Sequence, residues 1–130
     1  MMQSAKKPVR SYRDLLVWQK AMDLMVATYR LANLLPKTET YGLVSQMQRA
    51  ATSIPANIAE GHGREHLGDY LRHLSIARGS LMELETHFFA SQRLFSLPED
   101  RIRDVFARSD EVSRMLVGLR DALKASRKDS

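Results

Sequence analysis

The chain has 130 residues, a size typical of one domain with a single hydrophobic core. It contains no cysteine, which excludes disulfide bridges, thiolate metal sites and cysteine nucleophiles. Residues 1–38 carry a net charge of +5, which equals the formal net charge of the whole chain, and this balance permits binding to a polyanion.

Three stretches of the chain differ in composition. Residues 1–11 are basic and lack the apolar segment of a signal peptide, so we expect a flexible basic arm. Residues 12–124 have the patterning of a folded domain, and residues 125–130 are expected to form a flexible tail. No run of about eighteen apolar residues occurs, so we expect no membrane partner. Together with the lack of cysteine, this predicts a cytoplasmic location.

The first predicted helix begins at about Asp14, where Ser11 and Asp14 have the spacing of a capping box, and it ends before Pro36. At 100° per residue, its predicted core face contains Leu15, Trp18, Met22, Met25, Val26 and Tyr29. A second apolar stripe consists of Val17, Leu24 and Leu31. A helix that is apolar nearly all round is usually buried on more than one side, so this stripe predicts a subunit interface. The alternative is a set of scattered surface residues, which are common on monomers.

The second predicted helix starts near Glu39, and its apolar face contains Leu43, Val44, Met47, Ala50, Ala51, Ile54 and Ile58. Pro55 lies within this face, and because Ile58 keeps the register we expect a kink rather than a helix end. Gly61 then provides a C-terminal signal. Asn57 lies beside the interrupted backbone ladder, where we expect a buried amide bonded to the backbone rather than a catalytic asparagine.

The third predicted helix runs from about Leu67 to Phe95, and the fourth begins after Pro98. Each has one apolar face, and no segment alternates with the two-residue period of a strand. Four helices joined by short connections predict an all-α fold. The expected architecture is an up-down-up-down antiparallel four-helix bundle whose second helix is kinked at Pro55.

The sequence lacks the patterns that catalysis or metal binding would need. A di-iron centre in a helical bundle requires Glu-x-x-His, but the residue three positions before His87 is Leu84. No phosphate-binding loop, dinucleotide fingerprint or nucleophile elbow occurs, so we expect no enzyme, cofactor or metal site. The histidines are expected at the surface: His62, His66, His73 and His87. Arg78, Glu85 and Gln92, beside the core face of the third helix, predict either an inter-helix polar network or part of a subunit interface.

Three blocks of the sequence resemble a known family. They are Tyr12-Arg13-Asp14-Leu15, then Tyr41-Gly42-Leu43, and then the most specific block, the nine residues Ser53-Ile54-Pro55-Ala56-Asn57-Ile58-Ala59-Glu60-Gly61. In this order they are similar to the four-helix-bundle proteins encoded within intervening sequences of bacterial large-subunit ribosomal RNA. The accessory variability determinants of diversity-generating retroelements belong to the same broad family. The resemblance implies a ring-like homopentamer and, in the retroelement branch, a basic surface that binds nucleic acid and a reverse transcriptase.

Within the third block we expect a structural role for four residues: Pro55, Asn57, Glu60 and Gly61. For the whole protein, two classes of function remain. One is a weak, non-sequence-specific nucleic-acid-binding accessory protein, and its candidate binding residues are Lys20, Arg49, Arg64 and Arg72. Its expected partners are further copies of itself, RNA or DNA, and a reverse transcriptase if the gene lies beside a retroelement. The other is a structural or protein-interaction scaffold with no direct nucleic-acid role.

Overall fold

Four α-helices and two short 3-10 turns form the fold in a computed structural model of the chain, which describes residues 8–129. The helices are α1 (Leu16–Ala32), α2 (Leu43–His62), α3 (Leu67–Leu94) and α4 (Glu99–Asp129). The turns Tyr12–Asp14 and Lys37–Glu39 precede α1 and α2. No strand occurs among the described residues, so the predicted all-α class is confirmed. Residues 1–7 of the predicted arm and Ser130 of the predicted tail lie outside the described residues.

Local capping chemistry sets the start of the first helix. Ser11 and Asp14 form the predicted capping box around the first 3-10 turn, and the hydroxyl of Ser11 accepts the Arg13 N–H at 3.2 Å. The backbone N–H groups of Arg10 and Ser11 donate to Asp14, and these bonds hold the pKa of its carboxyl below the usual value. Because the box caps this turn, α1 itself begins at Leu16, slightly later than predicted.

Two further helix boundaries differ from the predicted ones. α2 begins at Leu43 rather than near Glu39, because residues 37–39 form a separate turn. The Glu39 carboxylate then accepts the Leu43 N–H at 3.2 Å and so caps the first turn of α2. α4 continues through residues 125–129, where a flexible tail was expected. That segment contains alanine, arginine and lysine, all of which favour helix.

Each helix packs against the helices that precede and follow it in the chain, and α1 also packs against α4. Within residues 8–129, α1 does not contact α3 and α2 does not contact α4, so each of these pairs lies on a diagonal of the bundle. Across α2 and α3, Ser53 pairs with Ser80 and Asn57 with His73, the opposite chain order that antiparallel neighbours have. α2 is continuous through Pro55. The up-down-up-down order of the whole bundle and the kink at Pro55 stay predictions.

The inner face of α1 is not the one predicted from the sequence. Val17, Leu24 and Leu31, expected at a subunit interface, are buried inside the protomer, and Leu24 is 0 % exposed. They form one continuous seam with Ala21 and Thr28, which are also buried. The residues predicted as core lie on the flank or outside: Leu15, Trp18 and Met25 are partly buried, and Val26 and Tyr29 are exposed. The buried stripe therefore has no surface to offer a second subunit.

The segment 53–61 joins α2 to α3 through its polar side chains. The Asn57 side chain donates from Nδ2 to the carbonyl oxygen of Ser53 at 2.9 Å, and its Oδ1 lies 3.1 Å from Nδ1 of His73. A Glu60 carboxylate oxygen lies 3.4 Å from the same ring nitrogen. Asn57 is partly buried, where full burial was expected. His73 is buried rather than at the surface as predicted, because its hydrogen-bond partners are supplied by α2.

Gly61 allows α2 and α3 to approach each other closely. A Cβ atom at this position would lie 2.8 Å from Cβ of His73 and 3.0 Å from Cδ1 of Tyr70. Glycine inside a helix costs about 1 kcal/mol relative to alanine, so its presence here is explained by the space it leaves. Burial in the same region raises the pKa of the Tyr70 hydroxyl.

Replacing Asn57 with leucine is expected to lower the free energy of unfolding by about 1–3 kcal/mol, because the buried His73 ring loses a hydrogen-bond partner. Urea denaturation followed by circular dichroism measures this change. Ala56→Leu, at the exposed neighbouring position, is the control and should change the free energy by less than about 0.5 kcal/mol. Equal effects of the two substitutions would contradict a structural role for Asn57.

Candidate nucleic-acid interface

A groove of about 370 Å³ lies between α3 and α4, and we name it the α3–α4 groove. Its lining residues are Gly68, Leu71, Arg72, Leu74, Ser75, Arg78, Arg120 and Lys124. On α3, Arg72, Ser75 and Arg78 follow one another at three-residue intervals, which keeps them on one side of the helix. On α4, Arg120 and Lys124 are four residues apart and so lie one turn from each other on the same face. The two helices therefore present basic side chains from both walls.

The charge of the α3–α4 groove is of one sign. Its lining includes four basic side chains and no acidic one. Arg72 and Lys124 are exposed, whereas Arg78 and Arg120 are partly buried. Asp121 does not line the groove, but it forms an ion pair with Arg120, with 3.1 Å between Oδ1 of Asp121 and Nε of Arg120. The surface is therefore suited to bind anions.

The four basic residues predicted from the sequence lie in different places. Arg72 is the one that lines the α3–α4 groove. Lys20 is 3.8 Å from a carboxylate oxygen of Glu111 on α4, and Arg64 is 3.8 Å from a carboxylate oxygen of Glu60. Arg49 is exposed on α2. These three do not line the groove, and their charges are spread over other faces of the bundle.

The sequence reasoning missed Arg120 and Lys124 and left the role of Arg78 open. One signal was available, because two basic residues four apart on the fourth helix mark a basic face. Which face of α3 lies opposite this pair depends on the register between the two helices, and that register follows from packing. The structure therefore adds three groove residues to Arg72.

A second and larger groove lies between α1 and α4, with a volume of about 640 Å³. It is lined by Asp23, Val26, Ala27, Arg30, Leu31, Arg101, Asp104, Val105 and Arg108. Two of its lining residues are acidic, and Asp104 already pairs with Arg108 at 3.0 Å. This mixed charge makes the α1–α4 groove a weaker candidate for a polyanion than the α3–α4 groove.

Two exposed apolar strips remain on the outside of the bundle. The α1 strip consists of Met22, Val26 and Tyr29, of which Val26 and Tyr29 are exposed and Met22 is partly buried. The α3 strip consists of Gly79, Met82, Thr86 and Phe89, all exposed, with Met82 and Phe89 each 56 % exposed. Both strips have the three- and four-residue spacing of helix-packing seams. Apart from its chain neighbours and the adjacent backbone of α3, no described atom lies within 4 Å of a Cβ placed at Gly79, so packing against other elements of the protomer does not explain this glycine.

The string Arg78, Glu85 and Gln92 does not act as one unit. Ser109, buried on α4, donates a hydrogen bond to Glu85, which makes this residue part of an inter-helix polar contact. Arg78 lines the α3–α4 groove, and Gln92 is exposed.

Among the described residues, no group of three or more His, Asp or Glu side chains is placed to hold a metal ion. Within the same range, no helix has both the length and the apolar character that crossing a membrane requires.

Comparisons with known proteins place the chain among relatives of unknown function. The family described as 23S rRNA-intervening sequence protein matches residues 13–118. A solved structure with a similar fold is a protein of unknown function from the S23 ribosomal protein family of Bacteroides thetaiotaomicron. The TM-score is 0.75 and the sequence identity 22 %, and the match covers 82 % of this chain and 96 % of the other. At this identity the likeness shows the fold. No curated protein matches the chain significantly.

Proposed function

The chain belongs to the 23S rRNA-intervening sequence protein family, and from that premise we propose a non-catalytic, oligomeric accessory protein that binds nucleic acid weakly and without sequence specificity. The observation that supports this most is the α3–α4 groove, with four basic lining residues and no acidic one. Basic side chains on phosphates release counterions, which gives affinity without reading any base. RNA or DNA is the partner we propose, and the cytoplasm is the place of action.

We propose that protomers assemble through the α1 strip and the α3 strip. α1 and α3 lie on a diagonal of the bundle, so the two strips are on opposite sides of the protomer. Contact between two different surfaces is heterologous, and it closes into a ring when the rotation per subunit allows. The number five for such a ring comes from the family resemblance alone. Repetition of the groove around a ring would strengthen binding, because several weak phosphate sites then act together.

The alternative function is a scaffold for proteins with no direct nucleic-acid role. The mixed charge of the α1–α4 groove and the exposed apolar strips support this alternative, since such surfaces suit protein partners. A reverse transcriptase is the protein partner we propose if one is encoded beside this gene. The scaffold would bind it whether or not the α3–α4 groove carries its charge.

Binding of a labelled RNA oligonucleotide, measured by fluorescence anisotropy at low salt, tests the proposed function. The double substitution Arg72→Ala with Arg120→Ala should weaken binding by about tenfold or more, because each subunit then neutralises two fewer phosphates. The control Arg49→Ala with Arg103→Ala removes the same charge from exposed positions outside the groove and should weaken binding by less than about threefold.

Two outcomes would contradict the proposal. Equal losses of affinity in the two double variants would show that overall charge, and not the α3–α4 groove, is responsible for binding. Absence of binding by the wild-type protein, with its oligomeric state verified, would leave the scaffold alternative. Circular dichroism of each variant confirms that the helices are intact.

A further inference from the structure

We propose that two copies of the chain pack the α1 strip of one against the α3 strip of the other with the helices antiparallel, and that Arg30 and Glu83 form an ion pair across this contact. This inference rests on the proposed function, because it starts from the assembly through these two strips and specifies its direction. It follows from the lengths of the strips and from the charged side chains that border them.

Both apolar strips are bordered by a charged side chain that lacks a strong partner within the protomer. Arg30 is exposed next to Tyr29 of the α1 strip, and it forms no ion pair with a described residue. Glu83 lies next to Met82 of the α3 strip, and its side chain is 53 % exposed. Its one recorded partner among the described residues is His87, with 3.4 Å between Oε2 of Glu83 and Nε2 of the ring. A second copy can therefore supply each of these charges with its opposite.

The two strips match in length along their helices. The end residues of the α1 strip are seven positions apart, and so are the two large apolar residues of the α3 strip, which at 1.5 Å per residue is about 10 Å. When the strips are superposed in opposite directions, Tyr29 of one copy lies level with Met82 of the other. Arg30 is then within about 3 Å of the level of Glu83, an offset that a long arginine side chain can span. Superposed in the same direction, the two charged residues are about 10 Å apart in level.

Rotation about each helix also decides between the two directions. At about 100° per residue, Arg30 and Glu83 each lie roughly 75–80° beyond the middle of their own strip, in the same rotational sense. Two helices that face each other bring such positions to the same side only when they run in opposite directions. Parallel helices would instead bring Asp23 to the side of Glu85, within about 3 Å of its level, where two carboxylates repel each other. The charges therefore favour the antiparallel arrangement.

Exchange of the two charges tests the proposal, with sedimentation velocity of the whole chain at micromolar concentration and constant salt. Glu83→Arg and Arg30→Glu should each weaken association by about tenfold or more, because each brings two like charges together at the contact. The double variant carries both substitutions in one chain, so the pair is restored with its charges exchanged. Its association should return to within about threefold of the wild type. Circular dichroism confirms that the helices of each variant are intact.

A matched control exchanges two charges away from both strips. Asp110→Arg with Arg114→Glu alters two exposed residues of α4 and should leave association unchanged. A double variant of Arg30 and Glu83 that fails to recover, or a Glu83→Arg chain that associates as well as the wild type, would overturn the antiparallel pairing and leave the proposed assembly in place. A wild-type chain that sediments as a monomer would overturn both.

Discussion

Replacing Leu24 with alanine is expected to lower the free energy of unfolding by about 3–5 kcal/mol. The side chain is fully buried at the centre of α1, so its removal leaves a cavity among residues of the other helices. Leu16→Ala on the same helix is the matched control, since Leu16 is 55 % exposed and its truncation creates no cavity. Urea denaturation of both variants measures the difference. Similar effects at the two positions would contradict the burial of the stripe that contains Leu24.

The same helix shows why its inner face could not be chosen from the sequence. α1 has two apolar faces with helical spacing, and the predicted one contained its tryptophan and both of its methionines. The true seam includes Thr28 and Ala21, which look weak as core residues. Thr28 is compatible with burial because its hydroxyl donates to the Leu24 carbonyl oxygen at 2.8 Å. A threonine whose hydroxyl is satisfied within its own helix can be buried like a small apolar residue.

Changing Met82 and Phe89 together to glutamate is expected to dissociate the proposed oligomer into monomers that remain helical. Two charges per subunit would then lie in the proposed apolar contact, where they would be desolvated without partners. Sedimentation velocity at micromolar concentration measures the assembly, and circular dichroism measures the helices. Both side chains lie outside the buried core, although the change also removes the contact between the Phe89 and Phe106 rings, whose centroids are 4.7 Å apart.

A matched double variant separates this effect from added charge. Ala56→Glu with Ala107→Glu places the same charges at exposed positions of α2 and α4, outside both strips, and should leave the assembly intact. A wild-type protein that sediments as a monomer would refute the proposed assembly. An oligomer that survives the Met82 and Phe89 changes would exclude the α3 strip as its interface.

The fold could be predicted from the sequence more completely than the α3–α4 groove could. The number of helices and the all-α fold class follow from the local periodicity of apolar residues, and the capping box at Ser11 follows from local hydrogen bonds. Both kinds of signal can be read directly from the sequence. The α3–α4 groove depends on which residues of α4 lie opposite Arg72 and Arg78. Basic residues chosen one helix at a time therefore included Arg72 but also Lys20, which the structure places beside the acidic Glu111.

The burial of His73 has the same kind of cause. On α3 alone, His73 lies at the edge of the apolar face, and in the structure both partners recorded for its ring belong to a different helix. Its partners Asn57 and Glu60 come from α2, within the segment whose resemblance to the family is most specific. The sequence marked this segment by its resemblance to the family, and the structure shows that its polar residues connect α2 to α3.

Salt dependence of RNA binding tests the central claim most directly, with wild-type protein compared to the Arg72→Ala, Arg120→Ala double variant. For the wild type, the logarithm of the association constant should fall linearly with the logarithm of the salt concentration. The double variant should have a shallower slope, by about 0.7 for each single-strand phosphate that it no longer neutralises. Slopes that coincide, or a wild-type protein that fails to bind at the lowest salt, would contradict a nucleic-acid site in the α3–α4 groove.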